Sequence, residues 1–335
     1  MTLPPGWLAP DWAGGGVGAL MSTRDGGIST GPHASMNLGD ACGDDPACVA
    51  ANRARFAATC AAAPIFLRQV HGARVVRVGA EDARAGSPRH AADASLSTEP
   101  GVACTVLVAD CLPVLFAAPG GRGVAAAHAG WRGLSAGVLE AAVAALCEAA
   151  GCRPVDLDAW LGACIGPAAF EVGADVVEAF GVDPGAAGTR HFAPARPGKW
   201  LADLAGLARD RLGAAGLVRL GGADRCVVAD PSRFFSYRRD GVTGRMAAAV
   251  WIAAGAGRRG RLDAAARPSP ARRGQQVEGD PERQGTVEQE GDARTEPGSA
   301  VRHPLDERHQ DDHVEPGDGD QIHFCARRFS GSAPR

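Results

Sequence analysis

The feature that most restricts the fold is a break in patterning near Gly255. Upstream, apolar segments alternate with turn residues, whereas from Gly255 to Arg335 Arg, Asp, Glu, Gly, Pro and Gln dominate and only isolated Val, Leu, Ile and Phe remain. A stretch of that composition buries too little apolar surface to offset the entropy lost on ordering. It is expected to be a disordered tail, so the core has to come from residues 1–254. His303, His309, His313 and His323 fall in the tail among acidic residues and prolines, a solvated tract rather than a metal site. Gly255-Ala-Gly257-Arg-Arg-Gly260 spells a dinucleotide fingerprint. Pro268 and Pro270 would break the helix that has to follow it, and no βαβ unit remains downstream.

Within the first 254 residues the pattern is mixed α/β. Val102 to Val108 is a short apolar, β-rich run that reads as a buried strand ending at Ala109-Asp110-Cys111. Two further runs, Pro113 to Ala118 and Gly123 to His128, flank Pro119-Gly120-Gly121-Arg122 and read as a hairpin. Ser135 to Ala150 carries Leu139, Ala142, Val143 and Leu146 at helical spacing, with Ser135 as cap and Gly151 as stop. A second helix is expected from about Asp203 to Leu212. Strands are expected at Ile65 to Val70, Val75 to Val78, Asp158 to Leu161 and Cys226 to Ala229.

Several function classes can be set aside. The formal net charge of −3 gives no basic stripe for nucleic acid, so small molecules are the expected partners. The longest apolar run, Met246 to Ala254, is about half of a membrane span, and Met1 to Gly16 lacks the layout of a secretion signal. Ten cysteines without any Cys-x-x-Cys pair suit reduced thiols and a cytoplasmic location better than a disulfide framework. A phosphate-binding P-loop is excluded because the only lysine, Lys199, sits in Pro-Gly-Lys-Trp.

Three segments carry chemistry: Gln69-Val-His71-Gly72, Ala109-Asp-Cys111-Leu-Pro113 and His128-Ala-Gly-Trp-Arg-Gly133. Each places a borderline-soft metal ligand at a strand exit beside Gly or Pro. If the hairpin closes at Ala118 and Gly123, antiparallel pairing sets His128 opposite Pro113, two residues from Cys111. Spacing alone leaves two readings open, a metal site or hydrogen-bonded structural histidines beside a buried thiol.

These segments resemble the YfiH-type laccase-domain family, formerly called multicopper polyphenol oxidoreductases and now associated with purine nucleoside phosphorylase activity. The resemblance also runs through Ser22-Thr-Arg24-Asp-Gly-Gly-Ile-Ser29, Ser35-Met-Asn37-Leu-Gly39, Gly166-Pro-Ala-Ala-Phe-Glu171-Val-Gly173 and Phe234-Phe-Ser-Tyr237-Arg-Arg-Asp-Gly241 with Gly244-Arg-Met246, and spans about residues 18–252. The chain departs from the family pattern at Ala169-Phe170-Glu171, where Cys-Tyr-Glu is common, and at Ala229, where a second cysteine is common. The resemblance implies an α-β-β-α layered sandwich and zinc held by His71, Cys111 and His128, which are also the implied catalytic residues. The implied activity is phosphorolysis of adenosine, inosine and methylthioadenosine, with adenosine deamination as a second activity.

Two imidazoles and one thiolate leave the fourth tetrahedral position of a zinc open, as a catalytic site requires. Arg24, Arg68, Arg132 and Arg238 are candidates to bind phosphate, and Asn37 and Glu171 are further candidates for substrate contact. Asp110 is a candidate acid, base or ligand-orienting carboxylate. Competing readings are a copper-dependent polyphenol oxidase, a hydrolase with Cys111 as nucleophile and His128 as base, and a non-catalytic zinc-stabilised module. The tail lies beyond every proposed ligand and arginine. A chain ending at Ala254 is therefore expected to match the full-length protein in metal content, thermal midpoint and turnover. Precipitation or metal loss in the shortened chain would move the domain boundary.

Overall fold

A computed structural model describes residues 3–12, 16–84, 86–87, 89–185 and 188–254, all in the first of the chain's two units, Met1–Pro270. The expected tail, with its histidines and its glycine-rich spelling, lies outside the described residues.

In chain order the elements are β1 (Val17–Met21), α1 (Pro46–Cys60), β2 (Ala63–Phe66), β3 (Val75–Arg77), β4 (Ala94–Ser97), β5 (Val102–Val108), β6 (Leu112–Ala117) and β7 (Val124–Ala129). They continue with α2 (Trp131–Ser135), α3 (Val138–Ala150), β8 (Asp158–Leu161), β9 (Glu171–Val172), α4 (Ala174–Ala179), β10 (Phe192–Pro194) and β11 (Trp200–Ala202). Last come α5 (Leu204–Ala214), β12 (Arg219–Gly222), α6 (Tyr237–Asp240) and β13 (Met246–Ile252). A four-stranded sheet has the order β1-β13-β5-β2, and a six-stranded sheet the order β12-β8-β6-β7-β4-β3. A small third sheet, β10-β11-β9, stands apart.

Alternation along the central strands builds the layers, because successive side chains of a strand point to opposite faces. Val102, Cys104, Val106 and Val108 of β5 share one apolar cluster with Met246, Ala248, Val250 and Ile252 of β13, and Leu115, Val124 and Ala126 of the six-stranded sheet close it from the other side. That cluster is the interior between the sheets. The opposite set on β13, Ala247, Ala249 and Trp251, packs with Phe56 and Cys60 of α1. Leu112, Val114 and Phe116 of β6 and Ala125, Ala127 and Ala129 of β7 pack with Leu139, Val143 and Leu146 of α3 and Leu204, Ala208 and Leu212 of α5. The order is helix, sheet, sheet, helix: the mixed α/β class is the one the sequence pattern predicts, and the layered sandwich is the one the family resemblance implies. Both faces of β6 and β7 are buried, so their sequences read as continuous apolar runs rather than alternating ones.

The hairpin pairs as its sequence demands. Ala117 lies opposite Val124, the amide of Ala118 donates to the carbonyl of Gly123 over 2.9 Å, and Pro113 lies opposite His128. Three expectations need correction. The helix anticipated from Ser135 is split, because Gly137 adopts a left-handed φ of 91° that ends α2 and lets α3 begin at Val138. The run from Cys226 to Ala229 forms only a single bridge, Cys226 to Cys164, and then turns. β2 stops at Phe66, and Gln69 replaces backbone pairing with its side-chain amide, which donates to the carbonyl of Leu107 (2.9 Å) and accepts from its amide (2.7 Å). No described helix is long and apolar enough to cross a membrane.

Phe116 is fully buried at the helix-facing side of β6. Phe116→Ala is expected to lower the unfolding free energy by about 3–5 kcal/mol, measured by urea denaturation. A loss under about 1 kcal/mol would show that this layer is not close-packed.

Candidate metal centre

The chain passes from the four-stranded to the six-stranded sheet between β5 and β6, and Cys111 sits at that passage. Asp110 makes the turn with a left-handed φ of 105°. Its carboxylate accepts from the Ser236 hydroxyl (2.6 Å) and the Arg238 amide (2.7 Å), and so fixes the start of α6 beside the site. Burial pushes the Asp110 carboxyl above the usual carboxylate range. His128 comes from the end of β7 and is 3 % exposed. His71 lies in the loop between β2 and β3, also with a left-handed φ, of 60°.

The ligand atoms of His71, Cys111 and His128 all lie within 4.8 Å of one another, the Cys111 Sγ being 3.9 Å from His71 Nε2. The two imidazoles stand edge to face with centroids 4.8 Å apart. No other group of three or more His, Cys, Asp or Glu ligands is found among the described residues. Gly130 leaves the space between the ligands clear, since a Cβ there would stand 3.0 Å from Cys111 Sγ and 3.1 Å from His71 Cδ2. Two imidazoles and a thiolate in a cradle that one methyl group would fill suit a zinc-sized cation of borderline softness.

Asp93, which the sequence reading missed, backs the cluster. It is fully buried at the entrance to β4. Its Oδ1 accepts from His128 Nδ1 (2.9 Å) and the His71 amide (2.9 Å), and its Oδ2 from the amides of Val70 (3.1 Å) and Gly72 (2.8 Å). Burial opposes the charge, yet these donors hold the carboxyl below its ordinary range. The only signal in the sequence was a lone acid heading an apolar run, Ala92-Asp93-Ala94-Ser95-Leu96. Burial also works against the Cys111 thiolate, but the charge of His128 and hydrogen bonds from both imidazoles pull the thiol down to about 6. His128 is the reciprocal case: against burial, the Cys111 thiolate and Asp93 raise it to about 9.

The cluster opens into a cavity of about 840 Å³ lined by residues that include Arg68, Arg132, Arg238, Arg245, Trp131, Phe170 and Tyr237. None of these four guanidinium groups meets a carboxylate among the described residues. Asp40, also on the wall, is already answered by Arg53 and Arg89. Arg132 lies over Trp131 at 4.4 Å, and Arg238 lies over Phe170 at 5.5 Å while donating to the Glu171 carbonyl. The remaining sequence candidates sit elsewhere. Arg24 spends its donors on the carbonyls of Ala34 and Pro231 and stacks on Phe235. Asn37 is fully buried and holds Gly39, Asp44 and the Arg245 amide. Glu171 is engaged by Arg196.

Over residues 18–253 the sequence matches the family described as multi-copper polyphenol oxidoreductase laccase. It is 48% identical over 247 residues to a purine nucleoside phosphorylase of Pseudomonas aeruginosa, covering 73% of this chain and 98% of that one. It is 47% identical over 253 residues to the purine nucleoside phosphorylase YfiH of Escherichia coli, covering 74% and 97%. A crystal structure from Neisseria meningitidis superposes with a TM-score of 0.67 at 41% identity, covering 74% of this chain and 99% of that one. The fold and the match together define a laccase-domain protein. The chain belongs to this family, in its YfiH-type branch.

The thiol has a sign that can be tested. In the metal-free chain Cys111 is a thiolate above its pKa of about 6, so alkylation by iodoacetamide is expected to stay fast from alkaline to neutral pH and to fall only as pH drops through about 6. Mass spectrometry of the Cys111 peptide reads the rate. A fall near 9, the ordinary thiol value, would refute the pairing with His128.

Proposed function

We propose that the chain is a zinc-dependent purine nucleoside phosphorylase whose catalytic domain spans residues 1–254, acting on adenosine, inosine and methylthioadenosine. The observation that carries this reading is the juxtaposition of the His71, Cys111 and His128 cluster with a cavity in which the guanidinium groups of Arg68, Arg132, Arg238 and Arg245 lack carboxylate partners among the described residues, while Arg89 on the same wall is paired with Asp40. An excess of guanidinium groups suits a dianion such as inorganic phosphate, and the cavity volume suits a nucleoside beside it. The purine nucleoside phosphorylase activity for which the Pseudomonas and Escherichia relatives are named agrees with that chemistry.

In phosphorolysis a phosphate oxygen bonds to C1′ of the ribose as the bond from C1′ to the purine nitrogen breaks. The bonding pair leaves with the base, which then takes up a proton. Arg68, Arg132 and Arg238 bind and orient the phosphate, and Arg245 adds to the positive field. Trp131, Phe170 and Tyr237 offer flat surfaces for the purine and keep water from the ribose carbon. Asp110 keeps Arg238 in place through the backbone of α6. Zinc, when bound, supplies a Lewis acid beside this cavity. The same open ligand position suits deamination of adenosine as a second activity. Copper-dependent phenol oxidation is the weaker reading, because electron transfer to oxygen generally draws on several metals and the described residues gather one ligand cluster. Cytoplasmic residence agrees with nine described cysteines that are all free thiols.

The test is product identification with and without phosphate. Phosphate is expected to be consumed one for one as free base and ribose 1-phosphate appear, with about one zinc per chain. His71→Ala, Cys111→Ala and His128→Ala should each lose metal and turnover together. Base release that ignores phosphate, oxygen uptake with phenols at a comparable rate, or full activity in metal-free Cys111→Ala would each reject the proposal.

A further inference from the structure

Of everything the proposed reaction leaves unused, the buried carboxylate of Asp93 has the most complete set of contacts. Four groups point at it, and all four are placed as donors: three successive backbone amides of one loop and one imidazole nitrogen of a distant strand. A fifth contact joins the same residues, since the His128 amide donates to the Asp93 carbonyl over 2.7 Å. We infer that Asp93 is the positioning residue of the site, a single carboxylate that sets both the ring orientation of His128 and the backbone conformation of His71. This inference rests on the metal-site reading proposed above.

The argument is one of donor and acceptor inventory. With Nδ1 committed as a donor to Asp93, His128 presents Nε2 to the space it shares with Cys111 and His71. On the other side, His71 holds a left-handed φ of 60°, a conformation that disfavours any residue with a Cβ. Amides pointing the same way from Val70, His71 and Gly72 form an anion-binding concavity, and the carboxylate inside it holds the loop in that shape. Gly133 closes the loop from outside, where a Cβ would come within 2.7 Å of the Gly72 carbonyl.

Only a carboxylate answers all four donors. Asparagine is nearly the same size, yet one of its two terminal atoms donates. An amide NH2 in place of Oδ2 faces the Val70 and Gly72 amides donor to donor. The same NH2 in place of Oδ1 faces the His71 amide and favours the opposite tautomer of His128, with the proton on Nε2 where a metal would bind. Either orientation costs one half of the site, so Asp93→Asn separates a positioning role from simple space filling.

The experiment uses the full-length chain. In 15N-labelled, zinc-loaded wild-type protein, Nδ1 of His128 is expected to carry an exchange-protected proton; a bare Nδ1 overturns the inference. Asp93→Asn is expected to keep the far-ultraviolet circular dichroism of the wild type and to bind zinc about 10- to 100-fold more weakly, measured by competition with a chromophoric chelator. Its cobalt-substituted form should show an altered visible spectrum. Zinc affinity and a cobalt spectrum equal to those of the wild type would also overturn the inference. If Asp93→Asn does not fold, the Nδ1 measurement on wild-type protein decides alone. If wild-type protein binds no zinc, the metal reading fails, while hydrogen exchange of the Val70, His71 and Gly72 amides in the metal-free wild type still decides the role of Asp93: protection is expected, and free exchange of all three overturns it.

Discussion

The site depends on the register of one hairpin. Because strand side chains alternate, moving β7 by one residue against β6 would turn His128 to the other face of the sheet and bring an alanine in its place. The register is held from both ends, by the turn between Ala118 and Gly123 and by alanines and large apolar residues that fit only one way between the layers. Leu115, Val124 and Ala126 fill the space between the sheets, while Phe116 and Ala127 meet the helices. Packing therefore specifies where the histidine goes, and the His71, Cys111 and His128 cluster inherits its precision from an apolar core.

This dependence explains what was legible from sequence. The hairpin, the pairing of Pro113 with His128 and the strand Val102–Val108 could be read because continuous apolar runs were bounded by Pro-Gly-Gly-Arg and by Ala-Asp-Cys. α1 escaped notice because its buried face includes Asn52, whose amide serves the backbone of the loop before it, so the apolar spacing is broken at the position that matters. The break at Gly137 was hidden by good helix formers on both sides. Asp93 was the costliest omission. A single acid among alanines looks like a surface residue until tertiary structure brings four donors to it.

The arginines show the same limit from the polar side. Arg24, Arg68, Arg132 and Arg238 all sit near glycines or aromatic residues, and nothing local tells them apart. The distinction is what each guanidinium already holds. Arg24 is used up in tying the 30s loop to the segment at Pro231, whereas Arg68 and Arg132 make no side-chain hydrogen bond to the described residues. Asn37 belongs with Arg24: it organises Gly39 and Arg245 from behind, shaping the wall without entering the cavity.

The passage of the chain from one sheet to the other at Cys111 has a thermodynamic consequence. His128 belongs to the six-stranded sheet, Cys111 lies on the connection between the sheets, and the His71 loop is fastened to β5 of the four-stranded sheet through Gln69. Any cation held by these three groups bridges the halves of the sandwich and is released when they separate. Its binding free energy is then linked by mass action to the stability of the whole domain. Occupancy would follow the integrity of a fold in which most of the stabilising contacts lie far from the ion.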